Sequence, residues 1–303
     1  FVVAGGGKLA ELAELQGVPY YRFAYQAPPR DAFGYLFAPV VWALGAAGVL
    51  APAETDLSAS IAALRSYAAG LLPSVPSAEN PAKTLAYLMF DRVPIVVGSR
   101  LTQGVARRWK NQINEHAKTA TFWDAFPELN HNTSEGFAHP PRFKDDCVVL
   151  LLAATADHPE VSKRRGIFCR HLQGASVVVQ EVSGVGVGLW AEKLTLLALG
   201  DWASYYLALL YRTDPAPVLV IDALKAELKE LNTRAKLAKK EGEKSNWTAY
   251  MAEAAAIEKS LATHKALEDE AKALKAAIRS TEKKQEELVE AARAKISRDE
   301  ARQ

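Results

Sequence analysis

The 303-residue sequence predicts an α/β protein with parallel sheets flanked by helices, followed by a charged helical tail. Three observations carry that expectation. Short apolar runs bounded by glycine or polar residues alternate with segments of helical period, the order that builds parallel sheets. Those runs are compact and unbroken, as strands covered on both faces are. Beyond Pro217 there is no further proline, and after about Ile221 the composition turns to Ala, Glu, Lys and Leu, which marks a separate helical region.

Taken in order, residues 1–4 read as a short strand, Gly5-Gly6-Gly7 as a turn, and 8–16 as an amphipathic helix that Gly17 can end. Residues 18–23 form a second short strand, and 32–48 a largely apolar helix punctuated by Pro39 and Gly45. Pro73, Pro76 and Pro81, with Ser74, Ser77 and Asn80 between them, suit a linker. The first domain is therefore expected over 1–75 and the second over 76–221. The second begins with a helix at 82–89, a strand at 93–97 that runs into Gly98-Ser99, and a helix at 102–116. A buried strand at 147–153, a helix at 159–171, a strand at 176–182 and a long apolar helix at 189–211 complete a doubly wound pattern. Ligands in such sheets lie beyond the carboxyl ends of the strands, which directs attention to the loops after Ala4 and Val97. In the tail, 222–303, Leu267, Ala271, Leu274, Ile278, Thr281, Gln285, Leu288 and Ala292 recur by three and four. This is a heptad seam, and it predicts a helical hairpin or short coiled coil, with a single solvated helix as the alternative.

Composition narrows the partners. Apolar residues are 49% and charged residues 24% of the chain, the balance of a soluble globular protein. The net charge of +2 gives no field that argues for nucleic acid. Cys147 and Cys169 are the only cysteines and have no CxxC spacing, so neither a disulfide framework nor a zinc site is indicated, and a reducing cytoplasm fits best. No basic leader with a cleavage site and no apolar run of about 18 residues occurs, so neither secretion nor membrane spanning is supported. The sequence opens on Phe1-Val2-Val3-Ala4 as if a buried strand were entered midway, so the first domain is expected to be incomplete.

Three segments then carry a resemblance: Arg108-Trp109-Lys110-Asn111-Gln112-Ile113-Asn114-Glu115-His116-Ala117-Lys118; Pro127-Glu128-Leu129-Asn130-His131-Asn132; and Gly200-Asp201-Trp202 through Asp214-Pro215-Ala216-Pro217-Val218. With the opening 5–13 and Pro29-Arg30-Asp31-Ala32-Phe33-Gly34-Tyr35, they are similar to the bifunctional phosphoglucose/phosphomannose isomerases, from Phe1 to about Lys225. The resemblance implies tandem sugar isomerase (SIS) domains, a homodimer, and interconversion of glucose 6-phosphate or mannose 6-phosphate with fructose 6-phosphate, with no metal or organic cofactor. It implies Glu115 as catalytic base, His131 as the ring-opening group supplied by the neighbouring subunit, Lys225 as a further catalytic residue, and Arg30 as substrate support. Gly6 and Gly7, at the start of a helix, have the amides to hold an anion, although the family's main phosphate loops lie upstream of this point.

The chemistry suits these residue types. Moving a carbonyl between C1 and C2 requires a proton to leave one carbon and return to the other, which one carboxylate can do. Sugar phosphates rest as rings, and a histidine titrates where it can open them. A fixed cation, Lys225 or Arg30, can stabilise the enediolate oxygen or orient the phosphate. Each residue also has an ordinary reading: Glu115 as a surface charge, His131 as a turn histidine, Lys225 as a solvated lysine, the glycines as a tight turn. His116, Asp31, Ala216 and Thr133 depart from the family pattern, and Asp31 beside Arg30 puts the Arg30 role in question most. The ending 291–300 resembles the helical C-terminus of type I restriction-modification methyltransferase subunits, which implies an assembly segment that offers itself to a helical partner. The alternative function is a noncatalytic SIS-type module that binds a phosphosugar and assembles.

Overall fold

The computed structural model describes residues 1–25, 27–51, 56–241, 248–256 and 259. The chain divides into two compact units, Phe1–Pro217 and Val218–Gln303.

The first unit opens with β1 (Val2–Ala4), α1 (Gly7–Leu15) and β2 (Tyr20–Arg22), the two strands running parallel with Val3 opposite Tyr21. Gly7 enters α1 at φ 73°, a left-handed conformation that glycine adopts without steric penalty. A 3-10 turn, Pro29–Ala32, leads into α2 (Phe33–Ala46), which begins one residue later and ends two residues earlier than its sequence predicts.

Helix α3 (Ser58–Ala69) is missing from the sequence-based expectations, because its Ala- and Ser-rich turns give little contrast between faces. It packs against the long helix α7 (Leu189–Leu210). The proline-rich stretch that follows is tied down at both ends. Leu71 is fully buried, and the Tyr206 hydroxyl donates to its carbonyl at 2.6 Å. The buried Asn80 side chain caps α4 (Pro81–Met89) by accepting from the amides of Ala82 and Lys83. Residues 73–79, between these two buried anchors, lie mostly at the surface.

A four-stranded, all-parallel sheet follows, in the order β4-β3-β5-β6, built from β3 (Val93–Gly98), β4 (Phe122–Ala125), β5 (Cys147–Ala153) and β6 (Val178–Ser183). β3 and β5 pair directly, Ile95 opposite Val149, as the two apolar runs predict. β6 starts two residues late because Ser176 sits at φ 64° in the preceding turn. β4 is absent from the sequence-based expectations: it is a four-residue edge strand whose Phe122 and Trp123 remain exposed, so it has no buried apolar run to reveal it.

The alternation along β5 divides the core. Val148, Leu150 and Leu152 join Val96 on one face with α4, α5 (Gln103–Ala117) and α7; Val149 and Leu151 join Ile95 and Val97 on the other with Phe126, Leu129 and, from α6 (Pro159–Gly174), Phe168 and Leu172. All seven residues of β5 are buried, which is why this strand reads as a continuous apolar run. The second unit contains α8 (Leu219–Glu241), and residues 248–256 are helical as well. The heptad seam from Leu267 to Ala292 lies outside the described residues.

Candidate active site

The end of α5 is built to hold one carboxylate still. Asn114 donates its side-chain amide to the Thr119 carbonyl at 2.6 Å. Lys118 ends the helix at φ 54° and turns its ammonium back onto the carbonyls of Glu115 (2.6 Å) and His116 (3.3 Å), satisfying acceptors that a helix end leaves open. In Asn114-Glu115-x-x-Lys118 the flanking residues therefore fasten the turn that carries Glu115. Burial and the neighbouring Arg30 lower the Lys118 pKa.

Arg30 meets this carboxylate. Its Nη1 lies 3.3 Å from Glu115 Oε2, and its Nη2 donates to the carbonyls of Pro215 (3.1 Å) and Ala216 (2.6 Å). The Arg30 side chain is 6% exposed and that of Glu115 36%, so a buried cation backs a carboxylate that still faces solvent. The Pro215-Ala216-Pro217 segment suits the acceptor role: its prolines have no amide hydrogens, and the Ala216 amide is bound by the Asp214 side chain at 2.9 Å.

Asp31, the departure beside Arg30, turns elsewhere. Its Oδ1 lies 3.9 Å from His116 Nε2, while His116 Nδ1 is 2.8 Å from the Ser204 hydroxyl. That hydroxyl donates to the Asp201 carbonyl, so the His116 Nδ1 hydrogen is the donor to Ser204 and Nε2 carries the lone pair. Burial, then the Arg30 charge, lower the His116 pKa from 6.5 to about 4, against the attraction of Asp31.

A second layer, to which the sequence assigns no roles, lies behind Arg30. Arg108 Nη2 donates to the Arg30 carbonyl (3.0 Å) and to Asp201 Oδ2 (2.9 Å), and its guanidinium stacks 4.9 Å from the Phe33 ring centroid. Gln112 donates to the other Asp201 oxygen at 2.8 Å. Burial raises the Asp201 pKa while Arg108 opposes the shift. The signal is present in the sequence, since Arg108, Gln112 and Asp201 all lie in the motifs quoted above; what the motifs do not give is their proximity.

The remaining sequence candidates stand on other elements. His131 is exposed at the end of the 3-10 turn Glu128–His131, and its side chain has no hydrogen-bond or ion-pair partner among the described residues. This turn follows the carboxyl end of β4, beside Gly98, where α5 begins; Leu129 packs into the core face opposite α5. Glu115 lies twelve residues into α5, about 18 Å along its axis toward the other end of the sheet. Within one chain, then, Glu115 and His131 occupy opposite ends and opposite faces of the sheet. Lys225 is exposed on α8, in the second unit. Gly6 and Gly7 sit in the β1–α1 turn.

The Gly98-Ser99 turn is closed. Ser99 and Thr102 are both 1% exposed; their hydroxyls lie 3.2 Å apart, and Thr102 Oγ1 donates to the Leu152 carbonyl at 3.0 Å. Both hydroxyls serve the strand-to-helix turn.

Residues 78–228 match the bacterial phospho-glucose isomerase C-terminal SIS domain. The chain is 33% identical over 230 residues to a bifunctional phosphoglucose/phosphomannose isomerase of Caldicellulosiruptor bescii, covering 76% of this chain and 68% of that protein. It is 31% identical over 228 residues to the protein of the same name from Aquifex aeolicus, covering 75% and 67%. Among solved structures, a glucose-6-phosphate isomerase like protein from Thermus thermophilus superposes with a TM-score of 0.53 at 23% identity, over 74% of this chain and 76% of that one. A tagatose-6-phosphate ketose/aldose isomerase from Escherichia coli gives 0.50 at 14% identity, over 71% and 61%. These two share the fold, parallel sheets flanked by helices. The sequence similarity, which for the family model spans Glu115 and Asp201, establishes that the chain belongs to the bifunctional phosphoglucose/phosphomannose isomerase family of sugar-phosphate isomerases.

Proposed function

We propose that the chain interconverts glucose 6-phosphate or mannose 6-phosphate with fructose 6-phosphate by proton transfer through an enediolate, with Glu115 as the base. The observation that carries this reading is the Arg30–Glu115 pair: a carboxylate held at a capped helix end, open to solvent on one side and backed by a buried guanidinium at 3.3 Å. Glu115 takes the proton from C2 of the aldose and returns it to C1, and the reverse in the other direction. Negative charge develops on the substrate oxygens as the proton leaves, and Arg30 is the fixed cation beside it. A guanidinium that already shares its hydrogens with Glu115 and two carbonyls needs little reorganisation to do this.

His131 opens the sugar ring from a second copy of the chain. Its exposure, its free side chain and its separation from Glu115 within one chain all favour that arrangement. Lys225 is the remaining candidate for a substrate-facing cation, and the Gly6-Gly7 turn for a phosphate contact. The noncatalytic alternative, an SIS-type module that binds a phosphosugar and assembles, draws no support from Ser99 and Thr102, whose inward hydroxyls offer no anchor for a phosphate.

Solvent deuterium incorporation at C2 distinguishes the two. Glu115→Gln keeps the shape and removes the proton acceptor, so kcat and deuterium exchange should fall by at least about 100-fold with substrate binding nearly intact. Exchange that survives in Glu115→Gln removes this residue from the mechanism, with Glu128 the next carboxylate to test.

A further inference from the structure

If Glu115 is the base, the position of the Arg30 guanidinium matters to a fraction of an ångström, and Arg30 reaches it from a short turn. Pro29–Ala32 is four residues of 3-10 helix with no side-chain cap. What fastens it beneath Arg30 is a contact from another element: Arg108, on α5, donates to the carbonyl of Arg30 itself. The same Nη2 reaches Asp201 on α7, Gln112 holds the second Asp201 oxygen, and the Phe33 ring, just after the turn, lies under the Arg108 guanidinium. The carboxylate of Asp201 is thus pinned by two donors from α5, and Arg108 is pinned by carboxylate, carbonyl and ring.

This network sits on a fixed spacing between helices. Trp109, fully buried, donates its indole hydrogen to the Leu196 carbonyl at 2.8 Å and lies against Gly200, where an added Cβ would come within 2.2 Å of it. Arg108 and Asp201 are the sequence neighbours of that Trp109–Gly200 contact. Arg108 also keeps its Nε buried without a partner, an arrangement that costs stability. The ion pair is only half-buried, its side chains 18% and 36% exposed, and apolar residues commonly replace even buried pairs without loss of stability, so packing alone does not require it.

We propose that Arg108 and Asp201 are positioning residues for the isomerase site: together they hold the Arg30 backbone so that its guanidinium meets Glu115. The proposal rests on the reading of Glu115 and Arg30 given above, and neither Arg108 nor Asp201 is assigned contact with substrate.

The test is side-chain 15N NMR of the full chain, following the Arg30 guanidinium, whose bond rotation is slowed by a well-formed ion pair. Glu115→Gln supplies the reference spectrum for the broken pair. In Arg108→Gln and Asp201→Asn the Arg30 signals should shift to that broken-pair pattern, and Arg108→Lys, which keeps a donor and the charge, should restore it in part. Isomerase kinetics on the same proteins should show kcat lowered about 10- to 100-fold with KM changed less than about threefold. The double variant Arg30→Lys/Arg108→Gln should be no slower than Arg30→Lys alone. Unchanged Arg30 signals in folded Arg108→Gln or Asp201→Asn, or losses that multiply in the double variant, overturn the proposal. Failure of the catalytic reading looks different: undiminished exchange in Glu115→Gln removes the base while leaving the NMR result on Arg30 as it stands.

Discussion

His116 stands next to the proposed base and is held uncharged among Arg30, Asp31, Lys118 and Arg108, with Ser204 as its hydrogen-bond partner. A neutral buried histidine links stability to pH in a definite sense. The unfolded chain binds the proton near pH 6.5 and the folded chain only near 4, so this contribution is complete above pH 6.5 and is lost as pH falls toward 4. The loss amounts to roughly 3 kcal/mol at most, from a shift of this size. His116→Asn removes the titrating group, so the difference in urea unfolding free energy between pH 7 and pH 4.5 should shrink by about 2 kcal/mol. Equal differences in the two proteins would mean that His116 takes up its proton equally readily in the folded and unfolded chains. At the same scale, Thr133 uses its hydroxyl to donate to the Asp124 carboxylate, which gives this departure from the family pattern a local role at the end of β4.

At the scale of elements, the site depends on how closely α5 approaches α7. Gly200 permits the approach, since any side chain there meets the Trp109 indole, and Trp109 is fully buried with no room to retreat. Gly200→Ala should destabilise the protein by about 1–3 kcal/mol, the usual cost of overpacking, and lower the melting temperature by several degrees. Because Glu115 rides on α5 and Asp201 on α7, the same substitution should also reduce isomerase activity in the fraction that remains folded. A stable, fully active Gly200→Ala protein would show that the two helices can separate without disturbing the site. The proline-rich stretch is pinned differently, by Asn80, Lys83 and Tyr206: Lys83 donates to the carbonyls of Pro73 (2.8 Å) and Val75 (2.7 Å).

For the whole molecule, the Arg30–Glu115 site and its supports lie within Phe1–Pro217. A chain shortened after about Glu230, which keeps Lys225, should therefore bind sugar phosphate with unchanged affinity by titration calorimetry. A loss of several-fold would bring the tail into the site. The proposed sharing of residues between copies has its own signature. Glu115→Gln and His131→Ala, each inactive alone, should regain activity when their subunits are exchanged, because a mixed dimer has one site with neither change. Random mixing predicts about a quarter of wild-type activity. No recovery after demonstrated exchange would mean that both residues act within one chain. Among the described residues, no helix is long and apolar enough to cross a membrane.

Much of the architecture can be read without coordinates, because its signals are local. The buried strands β3 and β5 are unbroken apolar runs, and the helices α4 to α7 are flanked by prolines, glycines or polar caps that mark their ends within a few residues. Glu115 and His131 can be singled out because they lie in long motifs in a fixed order. The edge strand β4 and the helix α3 escape, the first because its exposed residues carry no apolar run, the second because alanine and serine blur its faces. What packing alone decided is which charges meet. Arg30 and Glu115 are 85 residues apart, Arg108 and Asp201 are 93; no periodicity links them, and only the crossing of α5 and α7 over the sheet, with the 3-10 turn laid against them, brings each cation to its carboxylate. The same crossing separates Glu115 from His131 within one chain, because a helix that follows a parallel strand must run back to the opposite end of the sheet.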